Sequence, residues 1–422
     1  MKKIFILFAL IIALFSFTVN AEGILDNGKN LYSDYVYMVN LETGKTVYEY
    51  EADTVTYPAS LTKVMTCILA IENSESLEET VVIPSGIFDD IYADGGVHMS
   101  LKTGEEISVG DLIRATMIRS TCDSASALAW HVSGSVENFA DLMNKKAKEI
   151  GCTSTHFVNA HGLHDDNHYT TARDMYLIAN YALQNETFCD IINEHSCIIP
   201  PTNKSDMREF ESTIEIEIPE NENYYEYVTG VKSGFTNEAG RCLITKAEKD
   251  GESYLLITLG ANRDKWYNSN MAFTDAVTLF EYCFAEYSID TIVSKDVSLT
   301  SAEVAKGNKE TVSLYSDKDI TTLVALSDNS EINFDIPDKI KAPIKENEVV
   351  GTFTVKIAEE EFSGNLIAKE NVERIDAKKG LSKLNGGNAI ATVLDISALL
   401  IFIIAIILLV VFILKIRKNK IK

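Results

Sequence analysis

The order in which strand and helix patterns follow one another constrains the fold of this chain more than any other feature. Residues 36–40 and 45–50 alternate like two strands joined by a turn at Gly44. A block of segments with helical spacing follows, and from about residue 211 the pattern returns to strands, with a final helix at about 268–285. Strands at both ends of a helical block predict an α/β (α+β) domain, in which one antiparallel sheet is assembled from both ends and helices pack against it.

The helical block opens with the pattern that has the broadest apolar face. After Pro58-Ala59, apolar residues recur at i, i+3, i+4, i+7 and i+8 from Leu61, which predicts a buried helix. The segment from Thr171 to Asp174 has the form of a capping box that opens a later helix. The other helices are predicted at about 109–118, 123–132, 136–149 and 171–184, and strands at 214–218 and 254–259.

Both ends of the chain carry apolar segments that predict membrane contact. Residues 1–21 begin with two lysines, continue with an apolar run and end in small residues up to Ala21, which is typical of a signal peptide cleaved there. The uncharged segment 396–414 would span about 28 Å as a helix, enough to cross a membrane. An uncleaved anchor and a buried soluble helix are the respective alternatives. Because the tail 415–422 is basic, we expect an exported protein anchored to the outer face of the cytoplasmic membrane.

Between these ends the character of the chain changes once. Short alternating segments at 311–315, 320–326 and 349–357 predict a small all-β module, and the Gly- and Asn-rich stretch 379–392 is typical of a tether. We therefore predict a signal peptide at 1–21, a main domain at 22–288, a β domain at 289–376, a linker at 377–395, a transmembrane helix at 396–414 and a basic tail at 415–422.

The composition excludes several functions. The 422 residues are 46% hydrophobic and 24% charged, which is typical of a folded protein. The formal net charge is −24, and seven basic residues lie at the two extreme ends, so the body between them is more acidic still. Such a surface repels phosphate backbones, and no nucleic-acid partner is expected. The seven cysteines include no C-x-x-C pair, so no zinc site is predicted, and Cys189 and Cys197 are the only close pair.

The segment Ser60-Leu61-Thr62-Lys63 is the first that could carry chemistry. Residues i and i+3 share one face of a helix, so the Lys63 amine can approach the Ser60 hydroxyl. A serine nucleophile needs an adjacent proton acceptor, and a desolvated lysine can serve as one. The helix N-terminus also favours negative charge that develops near Ser60. The alternative is a capped helix with a surface lysine, although the apolar neighbours of Lys63 favour its burial.

Two further segments carry hydroxyl and amine groups. Ser120, in Ser120-Thr121-Cys122-Asp123, lies between two predicted helices and could relay a proton in a shared pocket; its alternative role is to cap a helix. Lys232-Ser233-Gly234-Phe235-Thr236 lies on or beside a strand, where a lysine, a hydroxyl and a glycine suit a carboxylate-bearing ligand that runs antiparallel to it. The alternative is an ordinary turn with a solvated lysine.

Taken together, the three segments resemble one known family. The order S-x-x-K, a loop serine about 57 residues on and K-S-G about 112 residues beyond it is similar to that of the D-alanyl-D-alanine carboxypeptidases, the serine DD-peptidases among the low-molecular-mass penicillin-binding proteins. The resemblance covers about residues 25–375, and it implies a serine β-lactamase/DD-peptidase-like catalytic domain followed by a C-terminal β domain. The matching stretches are 57–66, 157–163, 169–175, 236–243, Ala342-Pro343-Ile344 and Val350-Gly351.

The resemblance implies a role for each matching residue. Ser60 would be acylated by the stem peptide of peptidoglycan at its penultimate D-alanine, Lys63 would take the Ser60 proton, and Ser120 would relay a proton to the leaving amine. Lys232 and Ser233 would hold the terminal carboxylate. The backbone N–H groups of Ser60 and Phe235 would form the oxyanion hole, worth roughly 3–4 kcal/mol per donor. β-Lactams would acylate Ser60 as substrate mimics, and no cofactor is implied.

The chain also departs from the family pattern. The second motif usually ends in Asn, and here Cys122 would face the substrate with a thiol, which is a weaker hydrogen-bond partner. Ser233 replaces the usual Thr and keeps the hydroxyl. The usual C-terminal anchor is an amphipathic interfacial helix, whereas 396–414 has no polar face and should span the membrane.

Several alternatives stay open. A DD-transpeptidase or endopeptidase would use the same residues, and the change at Cys122 permits a wall-binding pseudoenzyme. A β-lactamase is disfavoured because no E-x-x-L-N loop precedes Lys232. His161, His164 and His168 share one loop without helical spacing, which favours structural roles over a metal site. No role is assigned to Arg263 or Lys265, since their spacing differs from that of the family arginine.

Overall fold

The computed structural model describes residues 31–88, 91, 95–261 and 271–375. The chain divides into two units, with the boundary between Ser288 and Ile289. Within the described residues, no helix is both long and apolar enough to cross a membrane. The predicted signal peptide, linker, transmembrane helix and basic tail lie outside these residues.

One five-stranded antiparallel sheet organises the first unit. Its strand order is β2-β1-β9-β8-β7, so the N-terminal hairpin pairs with the last strand of the unit through β1 and β9. This confirms the predicted sheet assembled from both ends, and it leaves β7 as an edge strand. The strands of the unit are β1 (Tyr35–Asn40), β2 (Thr46–Tyr50), β3 (Thr80–Val82), β4 (Glu106–Ser108), β5 (Ser196–Ile199), β6 (Arg208–Glu211), β7 (Val228–Thr236), β8 (Gly240–Lys249) and β9 (Glu252–Ala261); β3 pairs with β4, and β5 with β6.

The helices lie close to their predicted ranges. Thr171 caps its helix by accepting the N–H of Asp174, while the Asp174 carboxylate accepts hydrogen bonds from the loop 153–155 instead of completing the capping box. Gly134 and Gly151 end two helices with φ of 73° and 105°, in the left-handed conformation that favours glycine. The helices are α1 (Thr62–Asn73), α2 (Val109–Ile118), α3 (Cys122–Ser133), α4 (Val136–Ile150), α5 (Ala172–Ala182), α6 (Glu186–Ile192) and α7 (Met271–Glu286).

The sheet is buried on both faces, because alternate residues of a strand point to opposite sides. Tyr37 and Val39 of β1 belong to the apolar core shared with the helical block. Met38, between them, contacts Cys283 of α7 through sulfur atoms 3.7 Å apart. The two layers of helices therefore fix the sheet, and with it the position of the edge strand β7.

One predicted strand is wrong. Residues 214–218 alternate strictly in polarity, yet Glu215–Glu217 forms a turn of 3-10 helix. The cause is Glu217, whose carboxylate accepts the N–H of Gly230 in β7 and lies 3.5 Å from His195. In a half-buried strand, the polar residues of this pattern would all face solvent. Here the carboxylate of Glu217 is buried instead, and its hydrogen bond attaches this segment to β7.

The described residues of the second unit, up to residue 375, form only strands and their connections, which confirms the predicted β module. Its main sheet has the order β14-β16-β17-β12-β11-β15, and β10 pairs with β13. Alternate residues such as Val312, Leu314, Phe353 and Val355 fill its core. The strands are β10 (Tyr287–Val293), β11 (Ser298–Ala305), β12 (Thr311–Ser316), β13 (Ile320–Ala325), β14 (Ser330–Asp335), β15 (Lys339–Lys341), β16 (Val349–Ile357) and β17 (Glu360–Ala368).

All seven cysteines are free thiols, and Cys189 and Cys197 do not pair. Six of them are buried, in keeping with a role as small apolar residues.

Candidate active site

The three predicted segments meet at one cleft in the first unit. Its volume is about 830 Å³, and Ser60, Ser120, Cys122, Ser233 and Phe235 all line it. The cleft is open to solvent along β7, whose outer edge pairs with no strand of the five-stranded sheet. Chain segments separated by more than a hundred residues thus contribute to one surface, as the spacing of the motifs predicts.

Ser60 lies in a tight turn at the start of α1. The 3-10 turn Ala59–Leu61 runs directly into the helix, so the half-buried Ser60 side chain projects where free backbone N–H groups concentrate. Ala59 has a φ of 47°, which a residue with a side chain rarely adopts. The surrounding structure must therefore hold this turn in place.

Lys63 is fully buried and is directed at the nucleophile. Its Nζ donates to Ser60 Oγ at 2.9 Å, to the carbonyl of His161 at 2.6 Å and to Cys122 Sγ at 3.5 Å. The i, i+3 spacing therefore brings the amine to the hydroxyl, and the surface-lysine alternative is wrong. A buried amine in contact with a serine hydroxyl has the geometry of a proton acceptor for that serine.

The loop 159–163 contacts both Lys63 and the turn that carries Ser60. The Asn159 side chain accepts the N–H groups of His161 and Gly162 and donates to the Leu163 carbonyl, which closes the loop on itself. The loop directs the His161 carbonyl toward Lys63. A Cβ on Gly162, whose φ is 81°, would lie 1.9 Å from the carbonyl oxygen of Ala59, so only glycine fits here.

Ser120 lies in the connection between α2 and α3, and Cys122 is the first residue of α3. Ser120 has a φ of 67° and lines the cleft, and Thr121, not Ser120, precedes α3 at the N-cap position. The carboxylate of Asp123, buried under this connection, accepts the N–H groups of Met99 and Leu101, while its burial raises its pKa. These bonds hold the opposite wall of the cleft near Cys122, whose N–H donates to the Val97 carbonyl at 2.7 Å.

β7 forms the other wall. A Cβ on Gly234 would lie 2.8 Å from the backbone nitrogen of Ser60, so the missing side chain allows the strand to approach the nucleophile turn closely. The Ser233 hydroxyl donates to Thr213, at 3.0 Å to Oγ1. β7 therefore lies directly against the turn that carries Ser60.

Lys232 lies behind this wall rather than in the cleft. Its side chain is fully buried, and Nζ donates to the carbonyl of Ser233 at 2.8 Å. Burial, together with the nearby charge of Lys63, lowers the pKa of Lys232 to about 7. A direct salt bridge between Lys232 and a ligand in the cleft would require the amine to move away from the Ser233 carbonyl.

The cleft also contains residues that no motif indicated. Arg119 and Arg241 both line it, and within the described ranges neither forms an ion pair. The Arg241 guanidinium lies 5.2 Å from the ring centre of Phe235, its cross-strand partner on β7. Thr213 also lines the cleft, in the region where the sequence predicts a return to strands. No local sequence pattern predicts its hydrogen bond with Ser233, which is 20 residues away.

Two buried histidines next to α1 should make the unit sensitive to acid. Burial lowers the pKa values of His161 and His168 from about 6.5 to about 3, and the charge of Lys63 adds to the effect. Because both pKa values are depressed, the stabilisation is complete above pH 6.5 and is lost as the pH falls toward 3. We expect the melting temperature of the full chain in detergent to fall measurably between pH 6.5 and 5, before most carboxylates titrate.

Calorimetry of two variants isolates this effect. His168→Gln should flatten the decline, whereas His98→Gln, at an exposed position, should keep it. Equal slopes for both variants would mean that other groups cause the acid sensitivity.

This fold and this site define a class of protein: a serine hydrolase in which a helix-borne lysine, rather than a histidine, contacts the nucleophile. A family model described as D-alanyl-D-alanine carboxypeptidase matches residues 25–263, and one described as penicillin-binding protein 5, C-terminal domain, matches residues 287–374. The chain therefore belongs to the D-alanyl-D-alanine carboxypeptidase family, and the resemblance seen in its sequence is confirmed. It is a serine-type carboxypeptidase of this family.

Individual relatives agree with this assignment. The D-alanyl-D-alanine carboxypeptidase DacF of Bacillus subtilis is 27% identical over 341 residues, which cover 80% of this chain and 85% of that protein. The structure of the D-alanyl-D-alanine carboxypeptidase DacD of Francisella tularensis shares the fold, with a TM-score of 0.61 at 22% identity, over 86% of this chain and all of that one. The Streptomyces K15 DD-transpeptidase has a TM-score of 0.55 at 26% identity and covers 60% of this chain and 98% of its own.

Proposed function

We propose that the protein removes the terminal D-alanine from peptidoglycan stem pentapeptides through an acyl-enzyme on Ser60. The contact between Lys63 Nζ and Ser60 Oγ, 2.9 Å apart, carries this proposal. It places a buried amine against a hydroxyl that lies at the start of α1 and lines the cleft.

Acylation begins when the Lys63 amine accepts the Ser60 proton. Ser60 Oγ attacks the carbonyl carbon of the penultimate D-alanine, and the oxyanion that forms accepts hydrogen bonds from the backbone N–H groups of Ser60 and Phe235. The C–N bond then breaks, and the leaving amine takes a proton through Ser120. The hydroxyl of Ser233, backed by Lys232, holds the carboxylate of the departing D-alanine.

Deacylation completes the reaction. Water attacks the ester carbonyl, Lys63 again accepts the proton, and the shortened stem peptide leaves with a new carboxylate while Ser60 regains its hydroxyl. A β-lactam presents a strained amide and a carboxylate in the same arrangement, so its ring opens to form an ester with Ser60 that water hydrolyses slowly.

A DD-transpeptidase reaction, in which an amine replaces water, is the second candidate. It is favoured by the similarity to the Streptomyces K15 DD-transpeptidase, of which solved variants include the replacement of a cysteine two positions after a replaced serine. Ser120 and Cys122 have the same spacing here. A thiol binds water and polar substrate groups weakly, which favours slow hydrolysis and capture by an amine.

The experiment is to incubate the full chain in detergent with diacetyl-L-Lys-D-Ala-D-Ala, with and without glycine as acceptor, and to identify products by mass spectrometry. Release of D-alanine with the shortened dipeptide as product supports the carboxypeptidase. A glycine-terminated product in excess over hydrolysis supports the transpeptidase. A folded protein that releases no D-alanine overturns both and leaves a wall-binding protein without activity.

We further propose that the catalytic unit works outside the cytoplasm, held at the membrane by residues 396–414. The support is the apolar character of this segment and the basic tail that follows it. A chain ending at residue 395 should shift from the membrane pellet to the soluble exported fraction, whereas the full chain should resist extraction by carbonate. A truncated chain that stays in the pellet would place the anchor elsewhere, with an uncleaved segment 1–21 as the alternative.

A further inference from the structure

A short chain of hydrogen bonds leads from the loop 156–170 to the turn that carries the nucleophile. The ring of His168 is almost fully buried, and its Nδ1 accepts the N–H of Val158 at 3.1 Å. Its Nε2 lies 2.8 Å from Thr62 Oγ1, and this hydroxyl donates to the carbonyl of Ala59 at 2.8 Å. The chain thus ends on the peptide that precedes Ser60.

The donor and the acceptor of each hydrogen bond in this series can be assigned. Because Nδ1 of His168 is an acceptor, a neutral ring must carry its proton on Nε2 and donate it to Thr62. Burial keeps the ring neutral, since it lowers the pKa of His168 to about 3. Thr62 must then give its own proton to the Ala59 carbonyl. A hydroxyl with one donor and one acceptor bond, both in fixed directions, has a single preferred rotamer.

The Ala59 carbonyl is the point at which the nucleophile turn is held. Ala59 has a φ of 47°, a conformation that persists only where its surroundings impose it. A turn of this peptide would rotate the Ser60 N–H, the proposed oxyanion donor, and shift Ser60 Oγ relative to Lys63. Gly162 and Gly234 restrict the turn by contact, while Thr62 is the side chain that binds its carbonyl.

We infer that Thr62 and His168 are positioning residues for acylation: through the Ala59 carbonyl they hold the Ser60 N–H and hydroxyl in reactive alignment. The inference rests on the proposed acylation of Ser60. Displacement of a reacting group by about 1 Å costs on the order of 100-fold in rate. Loss of the Thr62 hydroxyl should therefore slow acylation without removing the nucleophile or its proton acceptor.

Thr66 provides a matched control one turn further along α1. It is also fully buried, and its hydroxyl donates at 2.6 Å to the Ala160 carbonyl of the same loop, but it does not contact the nucleophile turn. Thr62→Val and Thr66→Val each remove one buried hydroxyl and keep the shape of the side chain. They should lower the melting temperature by similar amounts, so a difference in rate cannot come from stability.

The test measures the rate constant for acylation of the full chain by penicillin in detergent. The rate is normalised to the fraction of molecules that form the adduct at completion. Thr62→Val should be about 10- to 100-fold slower, while Thr62→Ser and Thr66→Val should stay within about threefold of the wild type. His168→Gln should also slow acylation. In the double variant this loss should not add to that of Thr62→Val, because both changes break the same series of hydrogen bonds.

The possible failures are distinguishable. A wild-type protein that forms no adduct overturns the proposed acyl-enzyme, and this inference with it. If the wild type reacts, a normal rate in Thr62→Val, an equal defect in Thr66→Val or additive effects in the double variant would each overturn the positioning role alone. If Thr62→Val does not fold, the comparison of Thr62→Ser with His168→Gln decides: equal, normal rates overturn the inference.

Discussion

Ser60→Ala is expected to form no covalent adduct with penicillin and to lose the release of D-alanine by about 10⁴-fold or more, because the nucleophile itself is removed. Intact mass of the full chain after incubation with penicillin measures the first effect. A stoichiometric mass increase in the wild type that maps to Ser60, and no increase in the variant, is the expected pair of results.

Ser74→Ala is the control for this experiment. Ser74 follows the last residue of α1, where its N–H donates to the Ala70 carbonyl, and it is not among the described residues that line the cleft. The control should be acylated as fully as the wild type. An adduct that persists in Ser60→Ala would place the nucleophile at another residue, and Ser120 would then be the first to replace.

Lys63→Met should slow acylation by about 10³-fold or more while leaving the unit folded. Methionine fills most of the volume of the buried lysine but provides no amine for Ser60 Oγ and no donor for the His161 carbonyl. General-base catalysis alone accounts for 10²- to 10⁴-fold in rate, on the order of the loss expected here. Stopped-flow acylation with a fluorescent penicillin measures the rate.

Lys63→Arg separates a proton acceptor from a fixed positive charge. A guanidinium stays protonated at all accessible pH values, so it can supply charge but cannot accept the Ser60 proton. We expect Lys63→Arg to be as slow as Lys63→Met. A rate close to that of the wild type in Lys63→Arg would contradict the role of Lys63 as the base, and circular dichroism must show both variants folded.

The elements that the sequence predicted well are those in which local pattern and tertiary environment agree. The hairpin of β1 and β2, the helices α2 to α5 and the strand β9 lie within a few residues of their predicted ranges. The contact between Ser60 and Lys63 is also predictable, because residues at i and i+3 lie on the same face of a helix. In these cases, the side-chain period decides the structure.

The remaining features depend on partners distant in sequence. The segment 214–218 reads as a strand, but the carboxylate of Glu217 bonds to Gly230 and bends the chain into a 3-10 turn. Lys232 was expected at the ligand, and its burial behind Ser233 follows from the face of β7 on which it lies, which requires the register with β8. The bond between Thr62 and His168 spans 106 residues, and no spacing rule predicts it.

The position of β1 between β2 and β9 has a consequence for synthesis. β1 is among the first segments to emerge, yet one of its two neighbours, β9, begins at Glu252, so the sheet cannot close until nearly the whole first unit is available. β7 is joined to β1 through β8 and β9, and in the completed sheet Gly234 lies against Ser60. A nascent chain therefore contains Ser60 and Lys63 long before the site is assembled. Labelling by penicillin should report chains whose first unit is complete and folded, not chains still being synthesised.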